Sequence, residues 1–302
     1  MTETRGCVMK RNSFVAALSV AFAATLSVGF VSVTPKVIYG DDNRVDVYQV
    51  QREDIRQLAD STVALIPKKV LYDNRKDGFT HKPTKYGWER ELCSDEAFYE
   101  QPTSANCSGS LVGADLIATA GHCVKSTADC KTYSFVFGYR MVDAETAPLT
   151  SRYDDVYDCK EVVYREYSSK QDYALIRLDR SVLNRTPVRL QRGGVQPGDE
   201  LFVIGHPAGL PTKVAAGAHV RSVSQGYFTA NLDTYGGNSG SAVFNARTNE
   251  VVGILVRGEM DFEYDSERSC NMSYRCQDED CRGEDVTDIS FIIRALQRAK
   301  GH

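Results

Sequence analysis

The chain has 302 residues, 23 glycines and a net charge of −4 at pH 7. A chain of this length can bury a large core, as one large domain or as two smaller ones. Its slight acidic excess argues against the basic surface of a nucleic-acid-binding protein, so we expect no nucleic-acid partner. Abundant glycine and few long helical patterns favour an all-β fold.

Residues 1–36 have the composition of a secretory signal peptide, with room for a short propeptide. Lys10 and Arg11 form a positive start, and residues 14–33 are uncharged and rich in Ala, Val, Leu and Phe. The alternative is an uncleaved membrane anchor, since about twenty apolar residues can span a bilayer. Ser, Thr and Gly dilute the run, which favours the signal peptide. We therefore predict a secreted or periplasmic protein with no stable membrane association after signal removal.

Residues 37–186 predict a first β-barrel. Residues 41–60 are polar and carry charges of both signs, which suits either a short propeptide or an arm around a second barrel. A strand over residues 61–66 opens the core, and a long charged and aromatic loop follows. Short β-prone runs separated by turns then give the pattern of an antiparallel barrel: 110–112, 116–119, 133–137, 162–164 and 174–178.

Residues 187–302 predict a second β-barrel and a terminal helix. Residues 187–198 have the composition of a linker, and residues 259–288 are strongly acidic. Residues 288–300 carry apolar side chains at the spacing of an amphipathic helix. The second set of β-prone runs covers 201–204, 212–216, 219–224, 227–232, 241–244 and 251–256.

One glycine-rich stretch of the second barrel, Leu232–Ser241, suits a nucleophilic serine. Ser239 follows Gly236-Gly237-Asn238 and precedes Gly240. Glycine frees the backbone for conformations in which N–H groups face a substrate carbonyl, and Gly237 and Ser239 are the candidates for such an oxyanion hole. The alternative is an ordinary turn, for which the same residues are also suited.

A histidine and an aspartate upstream complete a catalytic pattern. His122 lies in Ala118–Cys123, and Asp172 begins the run Asp172–Leu178. The chain order His, Asp, Ser is one of the known orders of a Ser-His-Asp triad. Serine is a weak nucleophile at neutral pH, so a base must take its proton, and histidine has a suitable intrinsic pKa. The aspartate would fix the histidine tautomer and stabilise the imidazolium.

These three stretches resemble the motifs of the chymotrypsin/trypsin-like serine peptidases. The Gly-Gly-Asn-Ser form and the short interval from Asp172 to Ser239 are more similar to the bacterial glutamyl-endopeptidase branch than to animal trypsins. The resemblance covers roughly residues 37–298. It implies two antiparallel six-stranded Greek-key β-barrels with a C-terminal α-helix, with His122 and Asp172 on the first barrel and Ser239 on the second. It implies a peptidase of protein or peptide substrates that needs no cofactor and no metal.

The cysteines fit export into an oxidising compartment. Nine are present, and loss of Cys7 with the leader would leave eight, an even number suited to disulfides. Cys107 and Cys123 have the spacing of the bridge that flanks the histidine in the family that the chain resembles. The pairing of the other six stays open, with Cys130–Cys159 as our preferred second bridge. The alternative to disulfides for Cys270, Cys276 and Cys281 is a zinc site, although these residues lack a C-x-x-C pair.

The resemblance also raises the question of activation. Lys36-Val37-Ile38 is similar to a zymogen cleavage site of the family, which would require an activating protease. In the trypsin-like branch the released amino group pairs with an aspartate just before the nucleophile. That position is the uncharged Asn238 here, so the bacterial branch is the better template.

Two residues bear on substrate preference. Asp233 lies six residues before Ser239, the offset of the aspartate at the floor of the trypsin specificity pocket. Gly258 falls where the family keeps a glycine at the pocket wall. We predict cleavage after Arg or Lys on this basis; alternatively, Asp233 caps the following turn.

Other outcomes remain open from the sequence. Glutamyl endopeptidases that resemble this chain carry a histidine at the position of Leu255, and its replacement by leucine argues against a glutamate preference. Glutamate preference and broad specificity are the alternatives to cleavage after Arg or Lys. A catalytically silent binding protein with a protease fold is a further alternative, although such relatives usually lose a triad residue or the oxyanion glycine.

Overall fold

The computed structural model describes residues 1–2, 38–277 and 280–300. Residues 3–36 of the predicted leader and the Lys36-Val37 cleavage site lie outside the described residues. All the elements given below belong to one compact unit of the chain. Among the described residues, no helix combines the length and the apolar composition needed to cross a membrane.

Short strands dominate the fold, as the alternation of β-prone runs and turns predicts. The described residues also contain four α-helices: α1 (Glu53–Ala59), α2 (Tyr86–Glu89), α3 (Thr127–Cys130) and α4 (Ser290–Lys300). The strands in chain order are β1 (Ile38–Tyr39), β2 (Arg44–Asp46), β3 (Thr62–Pro67), β4 (Leu71–Asp73), β5 (Gly78–His81), β6 (Thr84–Lys85), β7 (Pro102–Thr103), β8 (Cys107–Leu111), β9 (Leu116–Thr119), β10 (Tyr133–Phe137), β11 (Thr150–Arg152), β12 (Val156–Tyr167), β13 (Asp172–Leu178), β14 (Glu200–Gly205), β15 (Lys213–Ser224), β16 (Tyr227–Ala230), β17 (Ala242–Asn245), β18 (Val251–Arg257), β19 (Phe262–Asp265), β20 (Cys270–Ser273), β21 (Arg275–Cys276) and β22 (Glu284–Asp288).

The first barrel is closed by six antiparallel strands in the order β10-β12-β13-β9-β8-β3. Apolar side chains of its strands are fully buried, among them Leu65, Ile117, Phe135, Leu175 and Ile176. The β-branched and aromatic residues of these strands pack against each other across the closed sheet, which stabilises the barrel by removing apolar surface from water.

The second barrel has six strands in the order β14-β17-β18-β22-β16-β15, and the pairing of β14 with β15 closes it. β2, from the N-terminal part of the chain, adds to the outer edge of β15. Leu201, Val243 and Val286 are in the buried core of this barrel. The prediction of two six-stranded antiparallel barrels followed by a C-terminal helix is thus confirmed.

Candidate active site

His122 lies on a single turn of 3₁₀ helix, Gly121–Cys123, directly after β9. The turn is held on both sides. A disulfide joins Cys123 to Cys107 of β8, and the Arg165 side chain donates hydrogen bonds from Nε to the carbonyls of Gly121 and Val124 at 2.7 and 2.6 Å. The imidazole is about one-third exposed. The turn therefore presents a fixed histidine at the barrel surface.

Asp172 is the first residue of β13, which pairs with β9 and so begins beside the histidine turn. Its carboxylate is 1% exposed, and its Oδ2 lies 2.7 Å from His122 Nδ1. Its Oδ1 accepts the backbone N–H of His122 at 3.0 Å. A carboxylate can only accept, so this contact requires the proton on Nδ1 and leaves Nε2 as the basic nitrogen.

Ser239 is buried in the turn between β16 and β17, on the second barrel. Its carbonyl oxygen accepts the N–H of Ser108 at 2.8 Å, and the Sγ of Cys123 lies 3.6 Å from the same oxygen. Ser108 belongs to the first barrel and Cys123 is the neighbour of His122. The structure thus places the candidate serine against the histidine turn, where the two barrels meet.

Hydrogen bonds to the Gly236 and Gly237 carbonyls fix the orientation of the peptide groups around Gly237. The Gly236 carbonyl accepts the Ala208 N–H at 2.5 Å, and the Gly237 carbonyl accepts the Ser108 hydroxyl at 2.9 Å. In a trans peptide the N–H points opposite to the preceding carbonyl, so the Gly237 N–H points away from Ala208. Gly237 has φ of +95°, and a Cβ there would lie 2.7 Å from the His206 carbonyl oxygen. Only glycine fits this backbone without strain.

Asp233 does not have the surroundings of an open pocket floor. Its side chain is buried, and its two oxygens accept the backbone N–H groups of Tyr39 and Asn43, both at 2.8 Å. Burial raises the pKa of Asp233 to about 6, against the effect of these two hydrogen bonds. The contacts favour a structural role at the N-terminal segment, which differs from the predicted contact with substrate.

The space beside Gly258 is also occupied, in contrast to our expectation of room for a long substrate side chain. A Cβ at Gly258 would lie 2.0 Å from Oε2 of Glu284. Glu284 is fully buried and accepts the Thr234 hydroxyl at 2.8 Å and the Glu259 N–H at 3.3 Å. The expected pocket wall therefore carries a second carboxylate.

Sequence reasoning missed three residues near this site. Glu284 was one acidic residue among many in the 259–288 stretch, and nothing local singled it out. Arg165 and Tyr167 lie on β12, and the Tyr167 ring is 6.2 Å from the His122 ring and half exposed. The pairing of β12 with β13 brings Tyr167 opposite Asp172. No local sequence motif predicts this strand register.

Four disulfides account for eight cysteines: Cys93–Cys270, Cys107–Cys123, Cys130–Cys159 and Cys276–Cys281. All three cysteines of the 270–281 segment are thereby oxidised, which leaves no thiolate for the competing zinc reading. The ligand atoms of Cys107, His122 and Cys123 lie within 4.8 Å of one another. Two of these three atoms form a disulfide, so the cluster is not a set of thiolate ligands.

Comparison with known proteins bears on the fold and on the kind of domain. The family model described as a trypsin-like peptidase domain matches residues 107–254, a range that contains His122, Asp172 and Ser239. No curated protein matches the chain. A solved structure, described as Glu endopeptidase in complex with MPD, aligns with a TM-score of 0.50 and 19% sequence identity, over 88% of this chain and 100% of that one. The likeness of the structures shows the fold, and the family match covers the three motifs: residues 107–254 of the chain form a trypsin-like serine peptidase domain.

Proposed function

We propose that the chain hydrolyses peptide bonds through an acyl-enzyme formed on Ser239. His122 takes the Ser239 hydroxyl proton on Nε2 as the oxygen attacks the substrate carbonyl. It then passes the proton to the leaving amine, and water reverses the sequence to release the acid. The single observation that carries the proposal is the 2.7 Å contact between His122 Nδ1 and the buried Asp172 carboxylate, at the place where Ser239 meets the histidine turn.

The oxyanion of the tetrahedral intermediate would be bound by the backbone N–H groups of Gly237 and Ser239. The direction of the Gly236–Gly237 peptide, fixed by Ala208, supports this assignment. Such preorganised donors cost no rearrangement at the moment of reaction, and loss of one typically lowers kcat by about 10²–10³-fold.

The substrate preference that we propose is for a cationic residue, Arg or Lys, before the cleaved bond. Glu284, a buried carboxylate on β22, lies beside Gly258, and Asp233 is a second buried carboxylate on the segment that leads to Ser239. The 259–288 segment, which contains Glu284, carries further acidic residues. A negative potential on these elements favours cationic substrates. Glutamate preference and broad specificity are the competing outcomes.

The site of action that we propose is outside the cytoplasm, in the periplasm or the medium. The leader-type composition of residues 1–36 and the four disulfides support it. Release of the mature enzyme by a protease that cuts after Lys36 is part of the same proposal.

A cleavage profile on a mixed peptide library tests the function. The wild-type protein is compared with Ser239→Ala, which keeps the backbone of residues 235–240, called here the serine turn. Cuts after Arg or Lys that are absent in Ser239→Ala would support both the triad and the cationic preference. Cuts after Glu or apolar residues would keep the triad and refute the preference. Cutting by both proteins alike, or by neither, would refute the proposed mechanism.

A further inference from the structure

The N-terminal segment 38–46, called here the arm, is built into the second barrel. β1 pairs in parallel with β21, and β2 extends the barrel sheet along the edge of β15. Ile38 and Tyr39 are buried. The polar composition of this region suited either a propeptide or an arm around the second barrel. The strand pairings and the burial show that residues 38–46 are an integral part of the fold.

Asp233 anchors the arm to the strand end that leads to the serine turn. The two N–H groups that it accepts, from Tyr39 and Asn43, are four residues apart in the arm. One carboxylate thus fixes both sides of the bend between β1 and β2. A carboxylate that accepts backbone N–H groups forms charge-assisted hydrogen bonds, which are stronger than neutral ones.

Arg44 makes the second connection. Its side chain is 1% exposed and forms a two-bond fork with Asp42, with Nε–Oδ1 of 2.8 Å and Nη2–Oδ2 of 2.7 Å. Its guanidinium carbon lies 4.1 Å from the centroid of the Tyr235 ring. A planar, desolvated guanidinium over an aromatic face is a favourable arrangement that lysine reproduces only in part.

Tyr235 is the first residue of the serine turn. Its carbonyl accepts the Asn238 N–H at 3.0 Å, which closes the turn over Gly236 and Gly237. Its hydroxyl donates to Ser273 Oγ at 2.5 Å, so the ring is held at its far end as well. A shift of the Tyr235 ring therefore moves the start of the segment that carries the Gly237 N–H.

We propose that Arg44 is a positioning residue for the oxyanion hole and acts through Tyr235, with the arm held in place by Asp233. The inference rests on the proposed function, because it presumes that Ser239 and Gly237 act on substrate. The side chain just before the nucleophile, Asn238, is uncharged and contacts the Ser241 hydroxyl at 3.2 Å. The buried charge that the arm brings to the turn is instead the Arg44 guanidinium.

The test compares two inhibitors in wild type and Arg44→Met. A peptide boronate of the preferred sequence forms a tetrahedral adduct on Ser239 and needs the oxyanion hole. The matching peptide amide has a planar carbonyl, and its binding is measured as competitive inhibition at early times, before appreciable hydrolysis, so that it depends mainly on the substrate cleft. We expect Arg44→Met to weaken boronate binding by about 10-fold or more with a change below about 3-fold for the amide, and to lower kcat with little change in KM. A role in stability alone would reduce the folded fraction and would not change the ratio of the two affinities.

Two further variants complete the design. Arg247→Met removes an exposed arginine of the same barrel and should leave both affinities unchanged. Arg44→Lys keeps a cation over Tyr235 and should lie between wild type and Arg44→Met; it replaces Arg44→Met if that variant does not fold. An unchanged boronate-to-amide ratio in the folded Arg44 variant would overturn the inference. Failure of the wild type itself to bind the boronate would instead refute the proposed function.

Discussion

Two disulfides of the first barrel allow stability and catalysis to be separated. Cys107–Cys123 closes a loop of 16 residues and Cys130–Cys159 a loop of 29. In the chain-entropy account, removal of either bridge lowers the free energy of unfolding by about 3–4 kcal/mol. The test uses the two double variants Cys107→Ala/Cys123→Ala and Cys130→Ala/Cys159→Ala, so that neither leaves a free thiol from the broken bridge.

The two bridges differ in what they touch. Cys123 follows His122 in the 3₁₀ turn, and its sulfur lies 3.6 Å from the carbonyl of Ser239. Cys130 and Cys159 join α3 to β12 and take no part in these contacts. Misplacement of a reacting group by about 1 Å can cost about 100-fold in rate. We therefore expect a loss of that order in kcat for the first variant and a change below about 3-fold for the second.

The measurement combines urea unfolding with peptide hydrolysis at 25 °C. Rates are divided by the folded concentration from the unfolding curve, so that a loss of stability is not counted as a loss of catalysis. Similar unfolding free energies with unequal kcat values are the expected result. Equal kcat losses in the two variants, or full activity in the first, would refute the role of the Cys107–Cys123 bridge in holding His122.

Three further predictions follow from single side chains. Asp172→Asn should lower kcat by about 10⁴-fold at pH 7, because an amide no longer fixes the proton on His122 Nδ1. The control is Asp154→Asn, which changes an exposed acid. Equal activity of the two variants would contradict the tautomer argument. Gly237→Ala should lower kcat by about 10²–10³-fold, since its Cβ would lie 2.7 Å from the His206 carbonyl and shift the oxyanion donor. Gly194→Ala, where nothing lies within 4 Å of the added Cβ, should leave kcat unchanged. An equally small effect at both glycines would count against Gly237 as an oxyanion donor. For Asp233, burial raises the pKa in the folded protein to about 6, above about 3.9 in the unfolded chain. The contribution of protonated Asp233 to the free energy of unfolding is therefore fully present below pH 4 and is lost as the pH rises through 6. The unfolding free energy of wild type relative to Asp233→Asn should accordingly fall by on the order of 3 kcal/mol between pH 4 and pH 7, and a difference that is flat with pH would show that Asp233 does not titrate there.

Local sequence was sufficient for the elements with a local signal. The strand predicted over 61–66 is Thr62–Pro67, the one over 251–256 is Val251–Arg257, and the helix predicted over 288–300 is Ser290–Lys300. Alternation of β-prone runs and turns, and apolar spacing along the helix, depend on neighbours within a few residues. The catalytic motifs are local in the same sense, since each carries its own glycines or flanking strand.

The partners of Asp233 and Gly258 could not be found in this way. Asp233 meets Tyr39 and Asn43 from 194 and 190 residues away, and Glu284 reaches Gly258 from a different strand. Offsets from Ser239 indicate where these residues lie along the chain, but they do not reveal which side chains fill the surrounding space. The arm was ambiguous for the same reason, because its anchors lie on the second barrel.

The most direct test of the central claim is the site and rate of covalent labelling by a fluorophosphonate, which reacts with activated serines. Peptide mass mapping of the labelled wild type should find one adduct, on Ser239. His122→Ala should lose the labelling under the same conditions, because the hydroxyl then has no base. An adduct on another serine, or labelling of His122→Ala at the wild-type rate, would contradict the assignment of Ser239 as a nucleophile activated by His122.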